Sequence, residues 1–468
     1  MKNRDFQNRG SGDAFSRALF AMVVMLIIAS AGISVLSAGS STALLSTRTE
    51  LLFAMIIALS VAGLMLDRRA FSIVKTHWLF VFFFLGVAPL IQCAKGYVPW
   101  SFPLMEDDIF NAQLVIVLWC GTVLAVTYGV NKRLGPVCPA PVPRNGIGQV
   151  SDRSLNALLA CSIACTFVAA VVIGPNNLFV RPMEVEETGA ATKIVEYFTR
   201  SFPAVVLILI SKHYNWRGKR GLFSIAILVA CVLIVNWPLT GSRYWTAAIY
   251  GSIIISYIPE RCLSGRKFEI YGLLMLGVLF PMMYALKPDV GHQFNPVAAF
   301  RAFVTGDAYL SVDFDAFSML ARALLYVDAH GIAYGVQIIS ALLCFVPRNA
   351  WFIFDKSIAT GEIVAVSQDA YYTNLAMPLM GEAFVDLSYV GVFLVAMGFA
   401  YASCFLDAKA ERGESGSISF ISLFYPLLIF LTIYVLRGAL FHAAMRSYGL
   451  MLAPMAIAFC FKHRKDGR

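Results

Sequence analysis

Long apolar runs separated by short polar stretches set the pattern of the chain. Runs near the roughly 20 residues that cross a hydrocarbon core fall at about 17–37, 50–66, 77–93, 111–130, 155–173 and 198–211, and again at 221–238, 244–258, 268–286, 384–406, 418–436 and 439–461. Helical periodicity inside such runs is hidden, because a span facing lipid on one side and protein on the other is apolar all round. The pattern therefore predicts an all-α integral membrane protein of about twelve spans. The first run, Leu19 to Leu36, follows Arg4, Arg9 and Arg17 and exceeds a signal-peptide core, so it reads as an uncleaved first span.

Between the ninth and tenth runs lies one long connection, from about Lys287 to Gly381, far beyond the usual 2 to 6 residues. Phe300, Phe303, Tyr309, Phe314, Phe317, Leu320, Leu324, Leu325 and Tyr326 give it enough apolar surface to pack. Gly331 to Val346 is too short for a full span and ends at Pro347 and Arg348, so it reads as a re-entrant or surface helix. Three regions follow: residues 1–286 with spans one to nine, 287–381 as the large outer loop, and 382–468 with the last three spans. No internal repeat is evident, and the loop makes the halves unequal.

Composition agrees. Hydrophobic residues make up 59% and charged residues 14%, with a mean hydropathy of +0.72, far from the quarter-charged composition of soluble domains. The net charge of +9 would suit a nucleic-acid binder only if it formed a patch; here Lys and Arg sit between apolar runs, so no nucleic-acid partner is implied. Most of the 37 Lys and Arg fall on alternate connections that the positive-inside rule assigns to the cytoplasm, including Lys212, Arg217, Lys219 and Arg220, then Arg261, Arg266 and Lys267, and finally Lys462, Arg464 and Lys465. Both termini are then cytoplasmic. The acidic groups Glu106, Asp107 and Asp108, and Glu184, Glu186 and Glu187, fall outside. The ten Cys include no CxxC pair, so neither a disulfide framework nor a zinc site is signalled.

Signatures of ATP-driven and protease chemistry are missing: no GxxxxGK[ST] loop, HExxH or GxSxG occurs. Asp313-Phe314-Asp315 is similar to the metal-binding DxD of nucleotide-sugar transferases, but nucleotide sugars are cytoplasmic and this copy faces outward. Paired acids on a solvated helix face are the plainer account, and no metal or cofactor is called for. More informative are the outer cations Arg243, Arg322, Arg348, Lys356, Arg437 and Arg446. Each alone reads as a snorkelling side chain at a span end. Arg243 stands out, because Thr240-Gly241-Ser242-Arg243 opens a span, where free backbone N–H groups and a guanidinium suit a phosphate. His442 and Arg446 share a helix face one turn apart, and a lone His is more often structural. Glu382 precedes an apolar run, where it complements a helix dipole or serves as a general base. Asp108 and its neighbours Glu106 and Asp107 compete for the base role.

The order of Thr240-Gly241-Ser242-Arg243, Phe314-Asp315-Ala316-Phe317 with Arg322, Val346-Pro347-Arg348 with Trp351 and Lys356, Gly361, Pro378-Leu379-Met380-Gly381-Glu382 and Leu387 to Gly391 resembles the bacterial oligosaccharide repeat-unit polymerases, the O-antigen or Wzy-type family. The likeness covers about residues 240–392 and the many-span plan. The Arg-x10-Gly elements common in that family are replaced by twelve intervening residues between Arg348 and Gly361 and eleven between Arg437 and Gly449.

The resemblance implies a glycosyltransferase of the bacterial inner membrane that joins undecaprenyl-diphosphate-linked repeat units at the periplasmic face, in O-antigen, capsule or exopolysaccharide synthesis. Its partners would be lipid-linked donor and acceptor, the bilayer, a chain-length regulator and a flippase. On this reading Arg243, Arg348 and Arg437 hold the donor diphosphate, Arg322 and Lys356 shape the loop or hold the second diphosphate with Arg446 nearby, and Glu382, Asp108 or His442 handles the proton. An O-antigen ligase uses the same lipid diphosphate chemistry. A flippase or secondary transporter shares the span number, but would gather charge at mid-bilayer and show repeats.

Overall fold

In a computed structural model of the chain, residues 2–466 are described except 38–43, 68, 135–149, 180–188, 239–241, 259–261, 264–265, 283–295, 348–350, 352–357, 371 and 413–417. Among the described residues every regular element is a helix. Nine helical stretches among the described residues are long and apolar enough to cross a membrane. They lie in α1 (Lys2–Ser37), α2 (Thr47–Leu66), the continuous run of α3 (Ile73–Phe80), a π-helical segment Val81–Val87 and α4 (Ala88–Ala94), and in α5 (Glu106–Leu134), α6 (Asp152–Ile173) and α7 (Ala190–His213).

Three expected spans form shorter helices: α8 (Lys219–Val235), then α9 (Arg243–Thr246) joined by π-helical Ala247–Gly251 to α10 (Ser252–Tyr257), then α11 (Lys267–Leu274) joined by π-helical Met275–Leu279 to α12 (Phe280–Met282). Of the twelve crossings read from the sequence, nine meet the length and apolarity of a span. The remaining three of the nine come last, as α17 (Leu379–Glu411), α18 (Phe420–Arg437) and α19 (Leu440–Asp466).

The α3–α4 run is the axis of the bundle. Its apolar window is 94% buried, and Phe80, Phe82, Phe83 and Phe84 are fully enclosed. Lipid tails are as apolar as Leu, so close packing rather than water exclusion holds such helices together. Gly63 of α2 illustrates this, because a Cβ there would lie 2.2 Å from the Trp78 indole.

The segment read as an outer loop is built into the bundle. It carries α13 (Pro296–Val304), α14 (Ala316–His330), α15 (Val336–Leu342) and α16 (Thr360–Ser367). Phe314 packs on Phe84 and Phe317 on Phe53, with ring centroids 5.0 and 5.3 Å apart. Gly331–Val346 contains only the seven-residue α15, which packs against α17 and α19. Helix α17 is broken at Leu387 and Ser388, the latter with φ 53°. Its first turns, Leu379 to Asp386, are buried, and Asp386 accepts the N–H groups of Gln337 and Ile338 at 3.0 and 2.8 Å, capping α15.

Two polar clusters occupy opposite ends of the bundle. At one end α18 carries Tyr425 and α3 carries Lys75; at the other stand Arg437 of α18 and Gln92 of α4. In the first cluster Asp407 accepts Tyr425 Oη–H at 2.7 Å and the Ile73 N–H at 2.9 Å. Arg69 lies 3.5 Å from Asp67 and 3.3 Å from Glu411, and donates to Asn131 at 3.1 Å. Glu269 takes Lys75 at 2.8 Å and Arg266 at 2.9 Å, while Arg266 also donates to the carbonyls of Leu64 and Met65 at 2.6 and 2.7 Å.

Candidate functional site

The second cluster is the candidate site. Ser242 caps α9, its hydroxyl accepting the Trp245 N–H at 3.3 Å, and so sets Arg243 at the helix start. Arg437 closes α18. Between them lies the turn Val312–Phe314, pinned from below by the buried Phe314 and by Gln92, whose amide donates to the carbonyls of Tyr309 (2.9 Å) and Phe314 (3.3 Å). Arg243 pairs with Asp313 at 2.8 Å and Arg437 with Asp315 at 2.8 Å. Tyr244 joins the two pairs: its hydroxyl donates to the Asp313 carbonyl at 3.2 Å and its ring lies 5.2 Å from the Arg437 guanidinium.

Arg446 of α19 completes this wall. It donates to Tyr197 Oη at 2.9 Å, reaches Ser242 Oγ at 3.5 Å and lies 4.5 Å from the Tyr434 ring, itself 6.1 Å from Tyr244. Arg322 enters from α14, stacked 4.2 Å from Phe102; burial draws its guanidinium down to about 10 against the pull of Asp315, so it is cationic at neutral pH. Beside Arg446, Glu196 of α7 pairs with Arg200 at 2.8 Å and Lys193 at 3.0 Å.

Of the six cations named from the sequence, Arg243, Arg322, Arg437 and Arg446 are described and stand near one another, in surroundings that differ from the expectation. Arg243 and Arg437, with 11% and 16% of their side chains exposed, are enclosed and paired rather than snorkelling. Asp315 is fully buried, which corrects the reading of the Asp313/Asp315 pair as acids on a solvated face; burial raises the Asp315 carboxyl above its ordinary range, opposed by Arg437 and by the Trp100 indole N–H. That indole donates to Asp315 at 2.9 Å. Tyr197, Tyr244, Tyr434 and Trp100 were not singled out in the sequence, and no short motif marks them. Arg348 and Lys356 lie outside the described residues.

The proton-handling candidates sit differently. Glu382 is buried; one oxygen accepts the Leu440 N–H at 2.8 Å and the other the Thr360 hydroxyl. It ties α17, α16 and the start of α19 together, which is the work of a cap. Asp108 accepts the Met105 N–H at 2.8 Å, while Glu106 and Asp107 pair with Arg48 at 2.7 and 2.5 Å. His442 stands one turn before Arg446, its ring edge-on to Phe441 with centroids 5.9 Å apart.

Three guanidinium groups, of Arg243, Arg322 and Arg437, thus face the two carboxylates of Asp313 and Asp315, an excess of one positive charge, while Arg446 stands beside Glu196, which already pairs with Arg200 and Lys193. Several donors have no hydrogen-bond acceptor: Arg243 Nη2, Arg437 Nε, and Nε and Nη1 of Arg322 are all buried. Buried donors are normally satisfied, which sets these guanidinium groups apart from the paired ones around them. Among the described residues no group of three or more His, Cys, Asp or Glu is arranged to hold a metal. Comparison with protein-family models, curated proteins and solved structures returns no match.

Proposed function

We propose that this protein is a membrane glycosyltransferase that polymerises oligosaccharide repeat units carried on undecaprenyl diphosphate, working at the periplasmic face of a bacterial inner membrane. The observation that carries the reading is the excess of buried, incompletely bonded guanidinium groups at one end of an apolar bundle, where Arg243 and Arg437 meet. A pyrophosphate with its prenyl tail in the bilayer supplies the missing acceptors at that depth. Counting the three shorter helical segments as crossings gives twelve spans, sets both termini in the cytoplasm and puts the arginine end outside.

In the proposed reaction an acceptor hydroxyl attacks the anomeric carbon of the donor, and the bond from that carbon to the diphosphate oxygen breaks. The electron pair leaves with undecaprenyl diphosphate, whose growing charge Arg243, Arg437 and the neighbouring Arg322 and Arg446 stabilise. The hydroxyl proton goes to a carboxylate. Asp313 and Asp315 are preferred to Glu382 for that role because they stand among the arginines, beside the developing charge.

Purified protein incubated with lipid-linked repeat units tests the reading. A ladder spaced by one repeat unit supports it. Transfer of a single glycan to lipid A core in place of a ladder assigns the ligase activity instead, and movement of the lipid across the membrane without any new linkage assigns a flippase.

A further inference from the structure

Beside the arginines lies an aromatic pair that the diphosphate chemistry does not use. Trp100 and Tyr372 stack with ring centroids 5.3 Å apart and planes inclined by 13°. Tyr372 is 46% exposed, and Thr373 and Asn374 beside it are exposed as well. A large flat ring left open loses the stabilisation that burial would give it, and this one stands beside the arginine cluster, where a ligand would cover it.

The pair is fixed in place. Trp100 Nε1–H donates to one oxygen of Asp315, and Arg437 donates to the other, so the indole and the guanidinium are two hydrogen bonds apart through a single carboxylate. Trp100 and Ser101 both have left-handed backbone, with φ 68° and 53°. Such conformations cost non-glycine residues on the order of 1–3 kcal/mol and persist where the surroundings impose them. Here they turn the indole toward Asp315 and under Tyr372.

A pyranose presents a patch of C–H groups on one face and hydroxyls around its rim. An aromatic face, negative at its centre, attracts the former, and polar side chains at the ring edge bind the latter. From this we infer that Tyr372, backed by Trp100, is the platform for a sugar ring of the glycan next to the diphosphate, with Thr373 and Asn374 at the rim. The inference rests on the glycosyltransferase reading for the ligand's identity and extends it from the phosphate to the sugar.

The test uses full-chain protein in detergent and two probes titrated separately: the repeat-unit oligosaccharide released from its lipid by mild acid, and farnesyl diphosphate. Tyr372→Ala weakens the oligosaccharide by about tenfold and leaves farnesyl diphosphate within twofold; Tyr372→Phe binds the oligosaccharide as the parent does, since the ring and not the hydroxyl forms the platform. Arg243→Gln reverses the pattern, weakening farnesyl diphosphate alone. Because Tyr372 is exposed, its replacement leaves the fold intact, as an unchanged melting temperature will verify. Failure of the parent protein to bind the released oligosaccharide, or equal binding by Tyr372→Ala, overturns the platform. Failure to bind farnesyl diphosphate while the Tyr372 effect holds overturns the diphosphate site and leaves the platform standing.

Discussion

The two ends of the bundle hold the same kinds of side chain in opposite proportion. Around Asp407, three cations, Arg69, Lys75 and Arg266, meet four carboxylates, Asp67, Glu269, Asp407 and Glu411. Around Asp315, three arginines, Arg243, Arg322 and Arg437, meet two, Asp313 and Asp315. The acid-rich end ties its cations to acceptors within the protein, including backbone carbonyls, and joins α2, α3, α5, α11, α17 and α18. Its job is to hold helices. Both ends hold buried guanidinium donors without a hydrogen-bond acceptor among the described residues, but the acid-rich end has one, Arg69 Nη1, and the arginine-rich end four, Arg243 Nη2, Arg437 Nε and Nε and Nη1 of Arg322. Buried charge alone therefore does not mark a site; the imbalance does.

The comparison breaks most sharply at Arg243 and Arg437. Changing either to Ala lowers polymer formation per folded molecule by at least about a hundredfold, the scale of losing a transition-state charge contact, and Arg437→Ala also lowers abundance because it strands the buried Asp315. Long chains retained in Arg243→Ala, read on a gel of polymer, would remove that residue from the site. At the other end the order is inverted. Lys75→Ala strands the buried Glu269 with Arg266 alone and costs about 3–5 kcal/mol, seen as loss of folded protein in the membrane and a lower melting temperature, with activity per folded molecule unchanged.

A smaller effect concerns pH. If Asp315 takes the acceptor proton it works ionised, so activity climbs as pH rises through its pKa. Burial places that limb above the ordinary Asp value, and Arg437 and the Trp100 N–H pull it down. Trp100→Phe keeps a ring under Tyr372 but removes the hydrogen bond, so the acid limb of the pH–rate profile moves upward. A limb that stays fixed would assign the proton to another group, with Asp313 next in line.

Least affected is Glu382→Gln. The amide oxygen still accepts the Leu440 N–H, so stability drops by about 1 kcal/mol, the worth of one altered hydrogen bond, and turnover persists. Abolished turnover at normal abundance would restore Glu382 as the base.

How far the sequence reaches follows from what it encodes locally. Apolar runs such as Leu19–Leu36 announce spans because length and hydropathy need no partner. The segments around 244–258 and 268–286 were equally apolar, yet each is interrupted by a π-helical stretch, which composition does not reveal. The arginines were legible as a set, since each stands at a polar break in an apolar run. Their counter-charges were not: Asp313 lies 70 positions from Arg243 and Asp315 lies 122 from Arg437, and only the fold brings Gln92, Trp100 and Tyr197 to the same place. Glu382 was misread in emphasis for the same reason, because the N–H it caps belongs to Leu440, 58 positions away.

The turn at Val312–Phe314 has a consequence for turnover. Asp313 within it and Asp315 just after it sit on the guanidinium groups of Arg243 and Arg437, so in the proposed reaction a departing pyrophosphate would leave behind ion pairs instead of bare buried cations. On the proposed function, an arginine pocket without that built-in stand-in would clutch its leaving group, whereas this arrangement would ease release of the emptied carrier.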